Sequence, residues 1–520
     1  MKNKLLLTIM SLALIMVACQ KKLDIANPNS PTSADVWKTA DFAQKGVNAI
    51  YSTYHRVGLA RMQFFMNMIR SDEGFSTSPN GDLINNFDIF NVTNYNMFER
   101  RAFYQDCYVG INRCNQVLDN VPNITMDAAL KTQLLGEATF MRGFFYYYLA
   151  EYWGNVPILL HTTTTIDQSV ANSSRDTVWA QVETDLTAAT SMLPTSYDAA
   201  NVGRATKGAA YALLGKAYLQ HGPQYQKAAD ALAHLVTGDL SGVYDLVPNY
   251  RDNFLEATEN NKESVFEFQH ALNPTDNHDD DVDPPSDNLN YGTSIPPFFA
   301  PQPAGFTDGQ ARRWVVWEFL KETTVGGQRD PRLAASFLFD STDERGPQYT
   351  LAYGKQWDSL KLQDAPDNVH NSIHEVCFRK FLDDAVMNGE VFHSGNNYRF
   401  IRYADVLLLY AEALNGIGQT AQAYQYVDRV RVRAGLAPLS TAMPGLNQQQ
   451  FLDQLKHERV TELSGEGHRW EDLDRWGDLG PQLASRDAGF ANFKAGRDEL
   501  LPIPQQDIDA DPNLKQNPGY

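Results

Sequence analysis

Apolar residues recur every three to four positions along most of the first 240 residues, the spacing of one face of an α-helix. The pattern predicts helices at about residues 39–58, 98–120, 127–153, 175–193, 203–220 and 225–237, and again at 402–417, 419–434 and 447–467. Residues 245–395 differ: prolines, scattered aromatic residues and the strand-like stretch 264–268 replace the helical period. The sequence therefore predicts a mostly α-helical protein with an irregular, loop-rich C-terminal part.

Two distant segments resemble one another. Residues 212–219 and 408–414 are Ala- and Leu-rich, and each is followed by a glycine (Gly222 or Gly418) and a second predicted helix containing alanine. A helical hairpin of about 34 residues, with small residues where the helices meet, is the tetratricopeptide pattern. We therefore expect helical units at about 39–240 and 400–435 to pack together as a scaffold, with the irregular region lying over it.

The N-terminus predicts export and lipidation. Lys2 and Lys4 precede an almost wholly apolar run over residues 5–17, which is too short to cross ~30 Å of hydrocarbon but suits a signal peptide. Residues 16–19, Met-Val-Ala-Cys, resemble the lipobox of bacterial lipoproteins, which are cleaved before the cysteine and lipidated on its thiol. We predict a signal peptide over 1–18, lipidation of Cys19 and a tether over 19–35. The alternative is an ordinary signal peptide that contains a cysteine.

Charge and cysteine content exclude some functions. The chain has 63 acidic and 44 basic residues and a net charge of −19, which repels polyphosphate and argues against nucleic-acid binding. Cys107 and Cys114 lie seven positions apart on one predicted helix, about 10 Å, which is too far for a disulfide. With Cys377, they are predicted to be free, buried thiols.

Several segments together carry a recognisable signature. They are residues 136–157, 330–333 (Asp-Pro-Arg-Leu), 399–415, 458–463, 466–477 and 500–520. In this order, from the lipobox to the last residue, they resemble the SusD/RagB-like outer-membrane lipoproteins of Gram-negative bacteria. The resemblance implies a SusD-like fold, a single domain over 36–520. Its parts are tetratricopeptide-like units, an irregular ligand-binding part at about 245–395, and a C-terminal helix and tail over 447–520.

The resemblance also implies a function. It predicts a protein without enzymatic activity, anchored by lipid in the outer membrane and facing the exterior. Such a protein captures an oligosaccharide and delivers it to a partner SusC-like TonB-dependent transporter. The same role with a peptide ligand, and a tetratricopeptide-type adaptor that binds only proteins, are the alternatives.

Some charged groups imitate catalytic or metal sites. Glu458 and Glu462 lie at i,i+4 and could imitate a glycosidase's two carboxylates, but a core-facing ion network is expected, in which Arg469 pairs with such a carboxylate. His370 and His374 lack the intervening glutamate of a metalloprotease. No cofactor is predicted; calcium at the acidic run 279–283, with Asp276 and Asp287, is the remaining possibility.

Binding a sugar requires exposed aromatic faces beside amide, carboxylate or guanidinium groups. Two irregular regions, 72–98 and 287–317, offer this combination. The candidate ligand-binding residues are Asp72, Asn94, Tyr95 and Phe98 from the first region, and Tyr291, Phe298, Trp314 and Trp317 from the second. Trp314 and Trp317 are three residues apart in a predicted helix, so core packing is the competing expectation for at least one of them.

Overall fold

The structure, a computed structural model, describes residues 36–76, 85–163, 169–272, 291–301, 305–338, 376–382 and 392–520. Their α-helices are α1 (Ala40–Ser52), α2 (Gln63–Ile69), α3 (Asn85–Asp88), α4 (Phe98–Asn120), α5 (Ala128–Tyr152), α6 (Arg175–Met192), α7 (Lys207–Gln220), α8 (Tyr225–Val236), α9 (Ile295–Phe299), α10 (Arg313–Phe319), α11 (Pro331–Ser336), α12 (Tyr403–Gly416), α13 (Thr420–Arg433), α14 (Leu439–Ala442), α15 (Gln448–Leu463), α16 (Arg469–Trp476) and α17 (Gln505–Ala510). The strands are β1 (Gly74–Ser76), β2 (Ser264–Phe268), β3 (Gly309–Ala311), β4 (Phe337–Leu338), β5 (Cys377–Phe378) and β6 (Tyr398–Arg402).

The nine helices predicted from periodicity are confirmed, most within a few residues of their predicted ends. The first ends early, at Ser52, and a 3-10 turn and a π-helical turn (Gly58–Met62) follow. Gly58 explains part of this change, because a Cβ there would lie 2.3 Å from the Ala102 carbonyl oxygen. Its amide donates instead to Asp106 Oδ2 at 2.9 Å, which seats this turn directly on α4.

The helices pack in hairpin pairs. α5 packs against α4 and α6, α7 against α8, and α12 against α13. The two look-alike units are neighbours in space, since α8 packs against α12 and the Gly416 backbone faces the Tyr225 ring. The mostly helical, tetratricopeptide-like class is therefore confirmed. None of the helices described here is long and apolar enough to cross a bilayer.

The described residues form three two-stranded antiparallel sheets, β1–β3, β2–β6 and β4–β5. The first two join the irregular part to segments outside it, and β4–β5 lies within it. In β2–β6, Phe268 is paired with Tyr398. Aromatic side chains of this sheet pack on α5, where the Phe144 ring lies 5.0 Å from that of Phe400 and 5.3 Å from that of Phe268. Phe144 thereby ties the sheet to the helical scaffold.

A buried ion network fastens the irregular part to the C-terminal helices. Arg332 Nη1, at the start of α11, lies 2.6 Å from Glu458 Oε1 and 3.0 Å from Glu462 Oε2, both on α15. Arg402 Nη1 contacts Glu462 Oε1 at 2.6 Å and its Nε contacts Glu466 Oε2 at 2.6 Å. Other members are Asp330, Lys380, Arg431, Arg433 and Glu263.

These contacts decide whether Glu458 and Glu462 could act as the two carboxylates of a glycosidase. Glu458 and Glu462 are fully buried and bridged by the same Arg332 nitrogen, so they face no open cleft. Burial opposes ionisation of Glu462, but the guanidinium groups of Arg433, Arg402 and Arg332 outweigh it and lower its pKa to about 2. The expected core-facing network is confirmed. Arg469 pairs with a buried carboxylate, as expected, but that carboxylate is Asp72 and not Glu458 or Glu462.

Cys107, Cys114 and Cys377 are buried and free, as predicted. Burial raises the pKa of the Cys107 thiol well above its usual value, so it stays protonated and unreactive.

Candidate functional site

A cavity of about 280 Å³, here called the Tyr291 cavity, lies between α1, the loop before α7 and strand β2. Its aromatic lining residues are Tyr51, Tyr54, His55, Phe266, Phe268 and Tyr291. Its polar lining residues include Asn48, Ser52, Asn201, Arg204, Glu267 and Gln269. Its volume is close to the lower end of the range for small-molecule sites, ~300–1,000 Å³.

Tyr291 forms the exposed aromatic wall. Its side chain remains 49% exposed, and its ring lies 6.3 Å from that of His55 at an angle of 76°. The backbone beneath it is fixed, because its carbonyl accepts a 2.7 Å hydrogen bond from the Ala271 amide. Gly292 permits a close approach to His393, whose backbone would be 2.6 Å from a Cβ at this position. An exposed ring on a fixed stretch of backbone thus presents its apolar surface to solvent.

The opposite wall is polar and held in place by its own hydrogen bonds. Arg204 donates from Nη1 to the buried Glu137 Oε2 at 2.9 Å, from Nη2 to Asn48 Oδ1 at 2.6 Å and from Nε to Asn201 Oδ1 at 3.0 Å. Such fixed amide and guanidinium groups bind hydroxyl groups with little further ordering.

Gly203 lies on the rim of the Tyr291 cavity. Its φ of +88° is in the left-handed region, and a Cβ would lie 2.3 Å from Gln269 Cγ. A smaller cavity of about 110 Å³ continues past it towards Tyr244 and Asn260, sharing Arg204 and Glu267 as lining residues. Because glycine has no side chain, this position leaves the Tyr291 cavity connected to the smaller cavity.

The cavity has the groups for binding but not the pair of carboxylates for glycoside hydrolysis. Glu267 is the only carboxylate among the described residues that line it. Glu267 is itself occupied, since Oε1 accepts from the Asn260 amide at 2.8 Å and Oε2 from Asn397 Nδ2 at 2.9 Å.

Among the predicted ligand-binding residues, only Tyr291 lines this cavity. The prediction that Asp72 binds ligand must be corrected, because Asp72 is fully buried and both of its carboxylate oxygens contact arginine side chains. Arg469 Nε contacts Asp72 Oδ1 at 2.6 Å and Arg486 Nη1 contacts Oδ2 at 2.9 Å. Burial favours the neutral acid, but these two cations dominate and lower the pKa of Asp72. Asp72 is therefore part of the core.

The remaining residues of the first predicted region lie near the C-terminal tail. Tyr95 is half-buried, with its ring 5.7 Å from that of Tyr520 and perpendicular to it. Asn94 is exposed, and its Oδ1 accepts from the Asn96 amide at 3.0 Å. Phe98 is half-buried against the core. Their contact with ligand stays a prediction.

The second predicted region is divided among several places. Phe298 is half-buried, with its ring 5.6 Å from Phe306 and 5.9 Å from Phe392. Trp314 donates from Nε1 to the Asp72 carbonyl at 2.5 Å, and Trp317 packs against the core. The structure does not bring these aromatic residues together into one surface with Tyr291.

The sequence did contain a signal for the lining residues that were missed. Asn48, Tyr51, Ser52 and His55 recur at i, i+3, i+4 and i+7 in the first predicted helix, and so share one face. A polar and aromatic stripe along one face of this helix could have indicated a site there. Arg204 and Gln269 come from distant segments and had no such signal.

Several predictions fall outside the described residues. These are the signal peptide, Cys19 and the tether, the acidic run with Asp276 and Asp287, and His370 with His374. Within the described ranges no cluster of His, Cys, Asp and Glu is arranged to hold a metal ion. The calcium possibility therefore stays untested.

A buried pair of carboxyl groups near β1 predicts a pH effect. Burial, and secondarily Asp487, raises the pKa of Asp88 to about 8, against a usual value near 3.8. Between about pH 4 and 8 the folded state therefore holds a proton that the unfolded state has lost, so the free energy of unfolding falls as the pH rises through this window. Asp88→Asn should remove this slope and gain more than about 1 kcal/mol over the parent between pH 5 and 8.

Urea denaturation at several pH values measures this difference. Asp41→Asn is the matched control, because Asp41 is exposed and its partner among the described residues is Lys45 on α1. Parallel pH profiles for the parent and Asp88→Asn would contradict the assignment of a neutral Asp88.

Comparisons with known proteins agree with this architecture. Residues 262–520 match the model described as the SusD family, and residues 27–219 match one described as starch-binding associating with outer membrane. The chain is 28% identical over 433 residues to SusD-like protein P2 of Formosa agariphila, covering 81% of this chain and 80% of that protein.

Solved structures agree as well. A SusD superfamily protein from Bacteroides vulgatus has a TM-score of 0.78 at 25% identity, and a laminarin-binding SusD-like protein has 0.73 at 27%. Each covers 93% of this chain and 100% of its own. The printed names describe SusD-like proteins, one of them laminarin-binding, which agrees with the prediction of a protein without enzymatic activity. The two matching models, the full-length relatives and the shared fold together show that this chain belongs to the SusD family.

Proposed function

We propose that this protein binds an oligosaccharide in the Tyr291 cavity and delivers it, as an outer-membrane lipoprotein facing the exterior, to a partner SusC-like TonB-dependent transporter. The observation that carries the binding proposal is the exposed ring of Tyr291 beside the fixed amides and guanidinium of Asn48, Asn201 and Arg204.

The general chemistry of sugars explains why these residues suit an oligosaccharide. A pyranose has an apolar C–H face that packs on an aromatic ring and a rim of hydroxyl groups that both donate and accept hydrogen bonds. Arg204 and the Asn48 and Asn201 side chains provide donors and acceptors at one edge of the cavity. A relative named for laminarin binding, and the family description of starch binding with outer-membrane association, support the same ligand class and location.

Isothermal titration calorimetry of the mature chain against neutral oligosaccharides tests the binding proposal. Maltohexaose and laminarihexaose are suitable first probes, with a panel of short peptides as comparison. We expect saturable heat with at least one glycan and none with the peptides. Heat with peptides alone would assign the site to a peptide ligand, and silence with every ligand alongside capture of a protein partner would favour the adaptor alternative.

Cell fractionation and protease treatment test the location. Recovery with the outer membrane, digestion by protease added to intact cells, and co-purification with a TonB-dependent transporter are the expected results. Protection from protease in intact cells would reject exposure on the exterior.

A further inference from the structure

A second groove, here called the Trp314 groove, runs between α10 and α15 and shares no lining residue with the Tyr291 cavity. It consists of two adjoining cavities of about 280 and 440 Å³. Glu318, Lys321, Asp453 and His457 line both of them, so they form one continuous depression.

An aromatic ring lies at one end of this groove. Trp314 is half-buried, and the guanidinium groups of Arg486 and Arg469 lie 4.3 Å and 5.3 Å from its ring centroid, so only part of the ring faces the groove. The Arg486 side chain is itself 40% exposed, and its Nη1 atom contacts Asp72 Oδ2 at 2.9 Å. Met443 and Leu446 supply apolar surface at the other end.

The walls of the groove carry polar groups that can form further hydrogen bonds. The Nε2 atom of Gln454 is buried and has no acceptor among the described residues. Lys321 is exposed and contacts Glu318 Oε2 at 2.6 Å, which leaves further donors on its ammonium group. Asp453 accepts from Gln449 Nε2 through Oδ1 at 2.9 Å, and its second oxygen is available for another donor.

The charges of the groove are close to balance. Four permanent cations (Lys321, Lys456, Arg469 and Arg486) face four carboxylates of the lining (Glu318, Glu322, Asp453 and Asp478), with Asp72 behind the two arginines. Several already form pairs, such as Lys456 Nζ with Asp478 Oδ2 at 2.6 Å. Paired donors and acceptors of this kind suit hydroxyl groups, whereas an anionic ligand would meet the carboxylates.

We propose that the Trp314 groove is a second saccharide-binding site, for a neutral oligosaccharide. It rests on the proposed function, because it assumes that the chain binds glycans, and it extends that function from one bound segment to two. The Met443–Leu446 surface, together with the part of the Trp314 ring that the two guanidinium groups leave exposed, receives the apolar faces of the sugar rings. Lys321, Asp453 and Gln454 bind the hydroxyl groups between them.

Calorimetry with maltohexaose and laminarihexaose tests this proposal on the mature chain. The groove variant is Lys321→Ala/Asp453→Ala/Gln454→Leu, which removes three wall groups and leaves Trp314 and the buried Asp72 contacts intact. We expect about two hexasaccharides bound per parent chain and about one for this variant. Tyr291→Ala should weaken the cavity site about tenfold and leave the affinity of the groove site unchanged. A circular dichroism spectrum and melting temperature equal to those of the parent check folding.

Each result separates this inference from the proposed function. If Tyr291→Ala loses all binding and the groove variant binds as the parent does, the groove proposal fails and the proposed function stands. If only the groove variant loses binding, the Tyr291 cavity is the wrong site. If no chain binds either glycan, both fail for these ligands. Stronger binding of an oligogalacturonate than of either neutral glycan would overturn the assignment of a neutral ligand.

Discussion

Replacing Arg402 by methionine should lower the free energy of unfolding by about 3–5 kcal/mol. The guanidinium is fully buried and contacts Glu263, Glu462 and Glu466, each at 2.6 Å. Methionine fills part of the space but removes one counter-charge from each of these carboxylates, and the remaining cations Arg332, Arg433 and Lys380 do not replace it. Burying charge that is less fully paired is costly. Urea denaturation, followed by tryptophan fluorescence and circular dichroism, measures the loss.

Arg429→Met provides the matched control. Arg429 also pairs with a carboxylate, Asp245, at 2.7 Å, but both side chains are substantially exposed. An exposed pair contributes only ~0–1 kcal/mol, so the control should change stability little. Equal, small losses in the two variants would show that the Arg402 contacts are hydrated and not part of a dry network.

The helical scaffold could be predicted because its signal is local. Each predicted helix has its own apolar period, and several begin at a residue that caps them, such as Asp127, Ser174 and Thr206. The boundary after Ser52 was missed because it depends on Gly58 meeting α4, a contact between segments about 45 residues apart.

The role of the charged signature segments could not be read from spacing alone. Arg332, Arg402 and Glu462 lie in three separate segments of the sequence and meet only in the folded core. The same residue types at the same spacing could have served an open catalytic cleft. Because these side chains are fully buried, their role is structural. Burial depends on the tertiary structure and cannot be read from spacing along the sequence.

The candidate site was predicted only in part for a related reason. Tyr291 was predicted because an aromatic residue among Pro, Gly and Asn suggests exposure, and it is exposed. Asp72 fits the same polar context, yet Arg469 and Arg486, about 400 residues later, draw it into the core. A cavity assembled from α1, the loop before α7, β2 and Tyr291 leaves no motif in any one of these segments.

Tyr291→Ala should weaken oligosaccharide binding in the cavity by about tenfold, which corresponds to about 1.4 kcal/mol. Stacking on an aromatic ring contributes ~0.5–1.5 kcal/mol beyond the apolar area it covers, and alanine removes both. The fold should persist, because the backbone bond from the Ala271 amide to the Tyr291 carbonyl does not involve the side chain. Calorimetry with the glycan that binds the parent best measures the change in the dissociation constant of the cavity.

Two controls decide what the loss means. Tyr291→Phe keeps the ring and should bind within about threefold of the parent, since the stacking face is unchanged. Tyr218→Ala removes a half-buried tyrosine of α7 that does not line the cavity, and should leave binding as it was. If Tyr218→Ala weakened binding as much as Tyr291→Ala, the loss would reflect general loosening of the scaffold. If the phenylalanine variant lost as much as the alanine variant, the hydroxyl group and not the ring face would hold the sugar.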